Sequence, residues 1–378
     1  MKTPREDDNR EPVPLDMVIE ILTKLPAKSL FRFRCVSKQW CSIIRSRPFI
    51  DSFMSLSLSR PRILLLGYDT YRGYAERLVF ISLPLHAQDS NHLSVVSKYD
   101  VPFSEHYGFC NSVRGIFCVS LGNHSLICNP TTKQVITIPN DLTGFDHMHN
   151  ICVMFLGYDT SNDQYKIMRT IRWVAQDKSH EHSVCTLRLG EQSSFSSWRR
   201  VESGNADYFI KTNALCISEV VYYGAQKKRS YSLVIVSFDV ASERLLLMEA
   251  PEENNLVGMV NYQGKLACIF ISNDDGSSLW ILDDAKKQIW SKAGVFSSSF
   301  YDLYRNLNLI ICGATNMGEI IFVSKLIDGA LELYYYDLKK NNVSKRVRTG
   351  DIAEDELRRI LMHIYSPYGG HVENLISL

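Results

Sequence analysis

Five times between residues 115 and 322 a turn opens into a short apolar strand: Gly115-Ile-Phe-Cys-Val, Gln164-Tyr-Lys-Ile-Met, Glu219-Val-Val-Tyr-Tyr, Gly264-Lys-Leu-Ala-Cys and Gly318-Glu-Ile-Ile-Phe. The steps between these markers are 49, 55, 45 and 54 residues. A second unit recurs behind them, a strand ending in Asp or Asn, a polar turn and another strand. It is clear at Leu126-Ile-Cys-Asn129, Ile235-Val-Ser-Phe-Asp239, Leu279-Trp-Ile-Leu-Asp283 and Leu333-Tyr-Tyr-Tyr-Asp337, and looser after Val184. A repeat of this length with four short strands is the pattern of propeller blades. A blade cannot bury both faces alone, so several must close in a ring. Residues 61–104 offer three further strands, near 63–68, 78–83 and 93–101, which makes six blades with one strand short. The missing strand is expected from the C-terminus, His371-Val-Glu-Asn-Leu-Ile-Ser-Leu378, with a short helix before it in 351–363. Closure would remove exposed sheet edges.

Ahead of the repeats the period changes. Leu15, Val18, Ile19 and Leu22 stand at the spacing of one helix face. Pro14 suits a first helical turn and Asp16 the positive end of a helix dipole. Pro26 ends this helix. A second short helix is predicted with Leu30 and Phe33 on one side. Ser37 is a good N-cap for a third, in which Trp40, Ile43 and Ile44 share a face and which Pro48 closes. Residues 50–60 read as a connection and 1–12 as a disordered tail. Three helices this short cannot bury their apolar groups among themselves, so the unit needs a partner.

The same stretch carries a dense pattern: Pro14-Leu15-Asp16, Glu20-Ile21-Leu22, Leu25-Pro26-Ala27-Lys28-Ser29-Leu30, Arg32-Phe33-Arg34-Cys35-Val36-Ser37-Lys38 and Trp40. It resembles the F-box of plant F-box proteins; Val13 departs from the family's usual Leu or Ile. The resemblance implies docking on a Skp-family adaptor, and through it on a cullin, in a ubiquitin ligase. The adaptor-binding residues expected from it are Pro14, Leu15, Ile19, Leu22, Leu25, Pro26, Leu30, Val36 and Trp40. Some of them must hold the helices together, Trp40 and Phe33 first. Further on, Cys128-Asn-Pro-Thr-Thr-Lys133, Phe155-Leu-Gly-Tyr-Asp159, Asp163-Gln-Tyr-Lys166 and His371-Val-Glu-Asn374 resemble the plant F-box-associated domain. The double glycines of kelch repeats and the WD40 signature are missing: Gly369-Gly370 is the only Gly pair and lies outside the repeats. The expected organisation is a tail over 1–12 and a small all-α three-helix F-box with its linker over 13–58. An all-β domain follows over 59–378, a six-bladed kelch-like β-propeller closed by the C-terminal strand, which captures a target protein.

Composition narrows the partners. The net charge of +1 gives no global pull towards nucleic acid or a membrane surface. No apolar run approaches membrane-spanning length. Residues 1–60 are locally basic, with 11 Lys+Arg against 7 Asp+Glu, which suits the acidic adaptor that the resemblance implies. The ten cysteines form no Cys-x-x-Cys pair, and most sit in apolar runs, as in a reducing compartment. Residues 1–12 are polar and unlike a secretory leader, so the cytoplasm, the nucleus or both are expected. His180-Glu-His182 and Asp146-His-Met-His149 lack further ligands, Asp283 reads as a turn residue, and no nucleophile elbow, P-loop or dinucleotide fingerprint appears. Neither metal nor cofactor is expected. The reading is a non-catalytic substrate-recognition subunit of an SCF-type ubiquitin ligase. The alternatives are a scaffold that binds the adaptor without a ubiquitination target, and a propeller enzyme. Target specificity is expected in the loops joining strands 2 and 3 of the blades, at 175–182, 224–230, 272–278 and 325–330.

Overall fold

The computed structural model describes residues 13–60, 62–71, 74–84, 94–100, 108–121, 124–139, 150–173, 180–190, 192–202, 207–252, 255–272, 276–324, 330–348 and 364–378. The expected tail, the expected helix in 351–363, the 146–149 segment, most of the 175–182 and 325–330 loops and residues 273–275 lie outside these residues.

Four helices come first: α1 (Leu15–Thr23), α2 (Ala27–Phe33), α3 (Lys38–Arg45) and α4 (Arg47–Leu58). Pro14 and Pro26 are the N-caps of α1 and α2. A fixed φ and a missing N–H cost nothing at a helix entry. Ser37 caps α3, its Oγ accepting the Trp40 N–H at 3.1 Å. Pro48 does not simply close α3. It stands in the first turn of α4, where proline is tolerated, and the expected connection is a fourth helix. That helix buries Phe49, Ile50, Phe53 and Met54 and lies against α1 and α3.

Six antiparallel sheets follow. Blade one orders its strands Ile364–His371, Arg62–Tyr71, Tyr74–Pro84 and Ser94–Asp100. Blade two runs Phe109–Val113, Ile116–Leu121, His124–Asn129 and Gln134–Thr137. Blade three runs Asn150–Asp159, Gln164–Trp173 and Glu181–Arg188, with Ser194–Phe195 and Arg199–Val201 sharing its outer edge. In blade four the inner strand is split into Tyr208–Ile210 and Leu215–Ile217, before Val220–Lys227, Leu233–Asp239 and Arg244–Glu249. Blade five runs Leu256–Tyr262, Lys265–Phe270, Ser277–Asp284 and Ile289–Phe296; blade six runs Ile310–Ala314, Glu319–Val323, Glu332–Asp337 and Asn342–Arg348. A helix, α5 (Ser298–Leu307), lies between the last two and puts Phe300 into their shared core. Neighbouring blades touch in sequence round a closed ring, a six-bladed β-propeller.

The sequence markers are the turns of these blades. Arg114-Gly115, Ser218-Glu219 and Gln263-Gly264 join strands 1 and 2 with φ positive at both residues. Two-residue hairpin turns need that geometry because its twist matches the strands, and this is why Gly recurs there. The recurring Asp or Asn folds the strand 3–4 turn by accepting backbone N–H groups. Asn129 Oδ1 takes Thr131, Asp239 takes Ser242, and Asp337 takes Lys339. In blade five the turn residue is Asp284, which accepts from Lys286 and Lys287, and not Asp283, which pairs with Lys265 at 2.7 Å. Lys166, only 4% exposed, pairs with Asp159 of its own blade at 3.2 Å and ties blade three to blade four through Glu243 at 2.9 Å and the Val240 carbonyl at 2.7 Å. A buried ammonium is tolerable only when its donors are all used in this way.

Ring closure follows the expected rule with a different segment. The strand that pairs with Arg62–Tyr71 is Ile364–His371, not 371–378. It contains Pro367 opposite Leu65. As the free edge of blade one it has no inner neighbour in its own sheet to receive the N–H that proline lacks.

Candidate functional site

In an antiparallel four-stranded blade the strand 1–2 and 3–4 turns share one rim, and the strand 2–3 loops share the other with the links between blades. The helical unit rests on the first rim. Arg47 of α4 reaches Asp163 in the blade-three turn at 2.7 Å. Burial pushes the Asp163 carboxyl up, but hydrogen bonds from Tyr158 and Arg47 outweigh it and hold it below the usual range. Both partners are about half exposed, so the pair orients more than it stabilises. The packing is apolar. Leu22, Ala27, Leu30, Ile44, Phe49, Ile50 and Phe53 form one continuous core with Ile116, Cys118, Met154 and Leu156 of blades two and three. The partner that three small helices need is the propeller itself.

The segment 372–378 is the mortar between the two parts. After the closing strand the chain turns across blade two instead of adding to it. Leu375 and Ile376 enter the shared core. Asn129 Nδ2 donates to the Asn374 and Ile376 carbonyls at 3.0 and 2.9 Å, and Asn374 Nδ2 donates to the Arg114 carbonyl at 2.8 Å. The Glu373 N–H bonds Ser57 Oγ of α4 at 2.7 Å, and its carboxylate faces the Ala27 N–H at the start of α2. Burial pushes that carboxyl above the usual carboxylate range.

On the helical unit the nine expected adaptor-binding residues divide. Leu22 and Leu30 are 2% and 0% exposed and belong to the core, so they are removed from the candidate surface. Ile19, Leu25 and Trp40 are partly buried against that core, Trp40 edge-on to Phe33 at 5.1 Å. Pro14, Leu15, Pro26 and Val36 are exposed. Three exposed apolar residues were not expected: Val13, Met17 and Ile21, each more than half exposed. Met17 and Ile21 are one turn apart on the outer side of α1, beside the exposed Glu20–Lys24 pair at 2.7 Å. Helical period points to the face that folds inward, and Met17 and Ile21 lie off it. The available signal was negative: large apolar residues on the side where a solvated helix carries charge.

The opposite rim presents the strand 2–3 turn of blade four; residues 224–227 of the expected loop belong to the strand Val220–Lys227, and the turn is 228–232, with Lys228, Arg229 and the 69%-exposed Tyr231. His180 and His182 are both engaged by Tyr208. His182 Nε2 bonds the Tyr208 hydroxyl at 2.8 Å, and His180 stacks on the Tyr208 ring. Among the described residues no group of three or more His, Cys, Asp or Glu is placed to hold a metal ion, and no helix is long and apolar enough to cross a membrane.

A helical docking unit with uncovered apolar residues, mounted on one rim of a six-bladed propeller, defines a two-part binding protein. Comparison with known proteins gives the particular kind. The F-box domain model matches residues 13–52, and the F-box associated beta propeller domain model matches 65–369. An F-box protein of Arabidopsis thaliana is 36% identical over 370 residues, covering 91% of this chain and 91% of that protein. Another from the same plant is 29% identical over 390 residues, covering 99% and 92%. The chain belongs to the F-box proteins that carry an F-box associated β-propeller domain. Among solved structures, one of a nidogen/laminin complex aligns with 83% of this chain and 99% of that chain at 8% identity and a TM-score of 0.47.

Proposed function

We propose that this protein is the substrate-recognition subunit of an SCF-type ubiquitin ligase. The observation that carries the reading is that Val13, Leu15, Met17, Ile21 and Val36 are left exposed on a unit whose other apolar side chains are mostly buried or half-buried. Large apolar side chains left uncovered in this number suit a protein interface, and such interfaces concentrate their energy in a few apolar anchors. The F-box match supports a Skp-family adaptor as the partner, with a cullin beyond it. Exposed Lys28, Arg32 and Lys38 nearby suit an acidic surface. The propeller takes the target on the rim away from the helices, because the first rim is partly covered by α4 and the C-terminal segment. Loops on a rigid scaffold carry specificity, and the strand 2–3 loops lie on that free rim. The chain itself is non-catalytic and works in the cytoplasm or nucleus. Catalysis belongs to the ubiquitin carrier, brought close to a lysine of the target.

The test is affinity capture from plant extract with the proteasome blocked, comparing the full chain with a variant in which Lys228, Arg229 and Tyr231 of the blade-four turn are replaced by Gly or Ser. The expected result is a co-captured protein that the variant loses while the adaptor stays bound, and that disappears faster in cells making the wild-type chain. Capture of that protein without any change in its turnover contradicts the ligase reading and favours the scaffold. Loss on altering the strand 1–2 turns, but not the blade-four turn, reverses the assignment of rims.

A further inference from the structure

The inner strands enclose a cavity of about 880 Å³ along the propeller axis. It runs from Leu256, Ile310 and Pro367 to the turns at Arg114, Gln263 and Asn316. Small-molecule sites occupy roughly 300–1,000 Å³, and this one is in that range. Its wall is mixed. Val113, Ala214, Met259 and Ile311 supply apolar surface. Several polar groups are already engaged within the protein: Glu219 accepts the Thr160 N–H at 2.8 Å, Asn261 the Gly264 N–H at 2.8 Å, and Thr315 Oγ1 the Glu319 N–H at 3.1 Å.

Two buried nitrogens and one ammonium are not hydrogen-bonded in this way, although the Arg114 charge also acts on the Asp163 carboxylate. Arg114 lies over the Tyr158 ring at 4.3 Å, and its Nε is buried without a hydrogen-bond partner among the described residues. His371, 6% exposed, lines the same end of the cavity and has a buried Nδ1 without a partner among them. Lys211 is exposed on the wall at mid-height, where its backbone N–H bonds the Gly224 carbonyl, and its ammonium makes no ion pair among them. Glu219 is the one carboxylate on the wall. A buried donor without an acceptor is costly, and an anionic acceptor returns the most from it.

We propose that the axial cavity binds a small organic anion, a carboxylate or sulfonate on an apolar body. The acid sits at the Arg114 end, the body lies against Val113, Met259 and Ile311, and Lys211 adds to the positive potential of the wall. The site is independent of adaptor docking.

Anilinonaphthalene sulfonate, an aromatic body with one sulfonate, is the probe, and phenylnaphthylamine, the same body without the acid, is its control. Both are titrated into the full chain and followed by fluorescence. One saturable sulfonate site per chain is expected, at least about tenfold tighter than the neutral analogue, the size of one charge-assisted hydrogen bond. Arg114→Gln is expected to erase that difference. Lys211→Glu, at an exposed position that leaves folding intact, is expected to weaken the sulfonate selectively and decides the matter if Arg114→Gln does not fold. Met17→Glu with Ile21→Glu is expected to keep the site. Equal binding of the two probes, wild-type binding in both cavity variants, or loss of the site in the Met17/Ile21 variant overturns the proposal. The last outcome would mean that the probe coats the exposed apolar residues of α1.

Discussion

Burial holds His182 and His371 neutral, lowering each from 6.5 to about 3. Charges nearby add to the effect, His180 for the first and Arg62 for the second. Both residues bind a proton more weakly when folded than when unfolded. Their contribution is therefore whole above pH 6.5 and is lost as pH falls from there towards about 3. Each costs up to about 1.4 kcal/mol per pH unit in that window. Stability measured by denaturant unfolding is expected to be flat above neutrality and to fall below it. His182→Gln and His371→Gln should each reduce that slope by about one proton. A slope unchanged in both variants contradicts the assignment. Neither role was legible in the sequence. His180-Glu-His182 shows two imidazoles in a polar connection, whereas the group that satisfies His182 is Tyr208, which arrives on the inner strand of the next blade. Long-range partners of this kind leave no local pattern.

At the scale of elements, two glycines with the same backbone role differ in what surrounds them. Gly115 and Gly264 both sit in strand 1–2 turns, at φ 80° and 86°. An alanine Cβ at 264 meets nothing within 4 Å, whereas at 115 it falls 2.3 Å from the Val372 carbonyl oxygen. Gly264→Ala is expected to cost about 1–2 kcal/mol, the price of a left-handed alanine. Gly115→Ala should cost clearly more, because the C-terminal segment must move. Equal costs in matched unfolding curves contradict the role given to that segment. Truncation tests it further. Removing 373–378 takes away Leu375 and Ile376, roughly 1.5–3 kcal/mol of burial each. It should raise hydrogen exchange in α2 and α4 while the outer blades keep theirs. Removing 364–378 opens the ring and should expose the inner strands of every blade. If the shorter truncation leaves the helices as protected as before, the segment does not join the two parts. The blade count and the turn residues were legible because hairpin turns and Asp-capped turns are local chemistry. The closing strand was misplaced for an equally local reason: Ile364–His371 carries Pro367 and two glycines, which suppress strand signals, while 371–378 reads as an extended apolar segment and is used as a strap.

The whole molecule is one body in which the propeller completes the core of the helical unit. Such a frame fixes the exposed apolar residues of the helical unit relative to the free rim, which is what the proposed receptor needs if it is to present one partner to another. The sequence makes both parts visible but not their join, since the residues that meet across it are far apart in the chain, as Arg47 and Asp163 or Ser57 and Glu373 are. For the same reason it mixes the two sides of α1. Period finds Leu15, Ile19 and Leu22, of which Leu22 is buried in the shared core, Ile19 packs against it and Leu15 is exposed, and only the packed structure shows that Met17 and Ile21 remain outside as well. This gives two substitutions of opposite character. Leu22→Ala should destabilise the chain by about 2–5 kcal/mol by leaving a cavity in the shared core. Met17→Glu with Ile21→Glu should leave stability within about 0.5 kcal/mol. The deciding measurement is a calorimetric titration of that exposed double variant, as the full-length chain, with a plant Skp-family adaptor. The account predicts binding weakened about a hundredfold, two interface anchors of over 1 kcal/mol each, at an unchanged melting temperature. Wild-type affinity in the folded variant would contradict it.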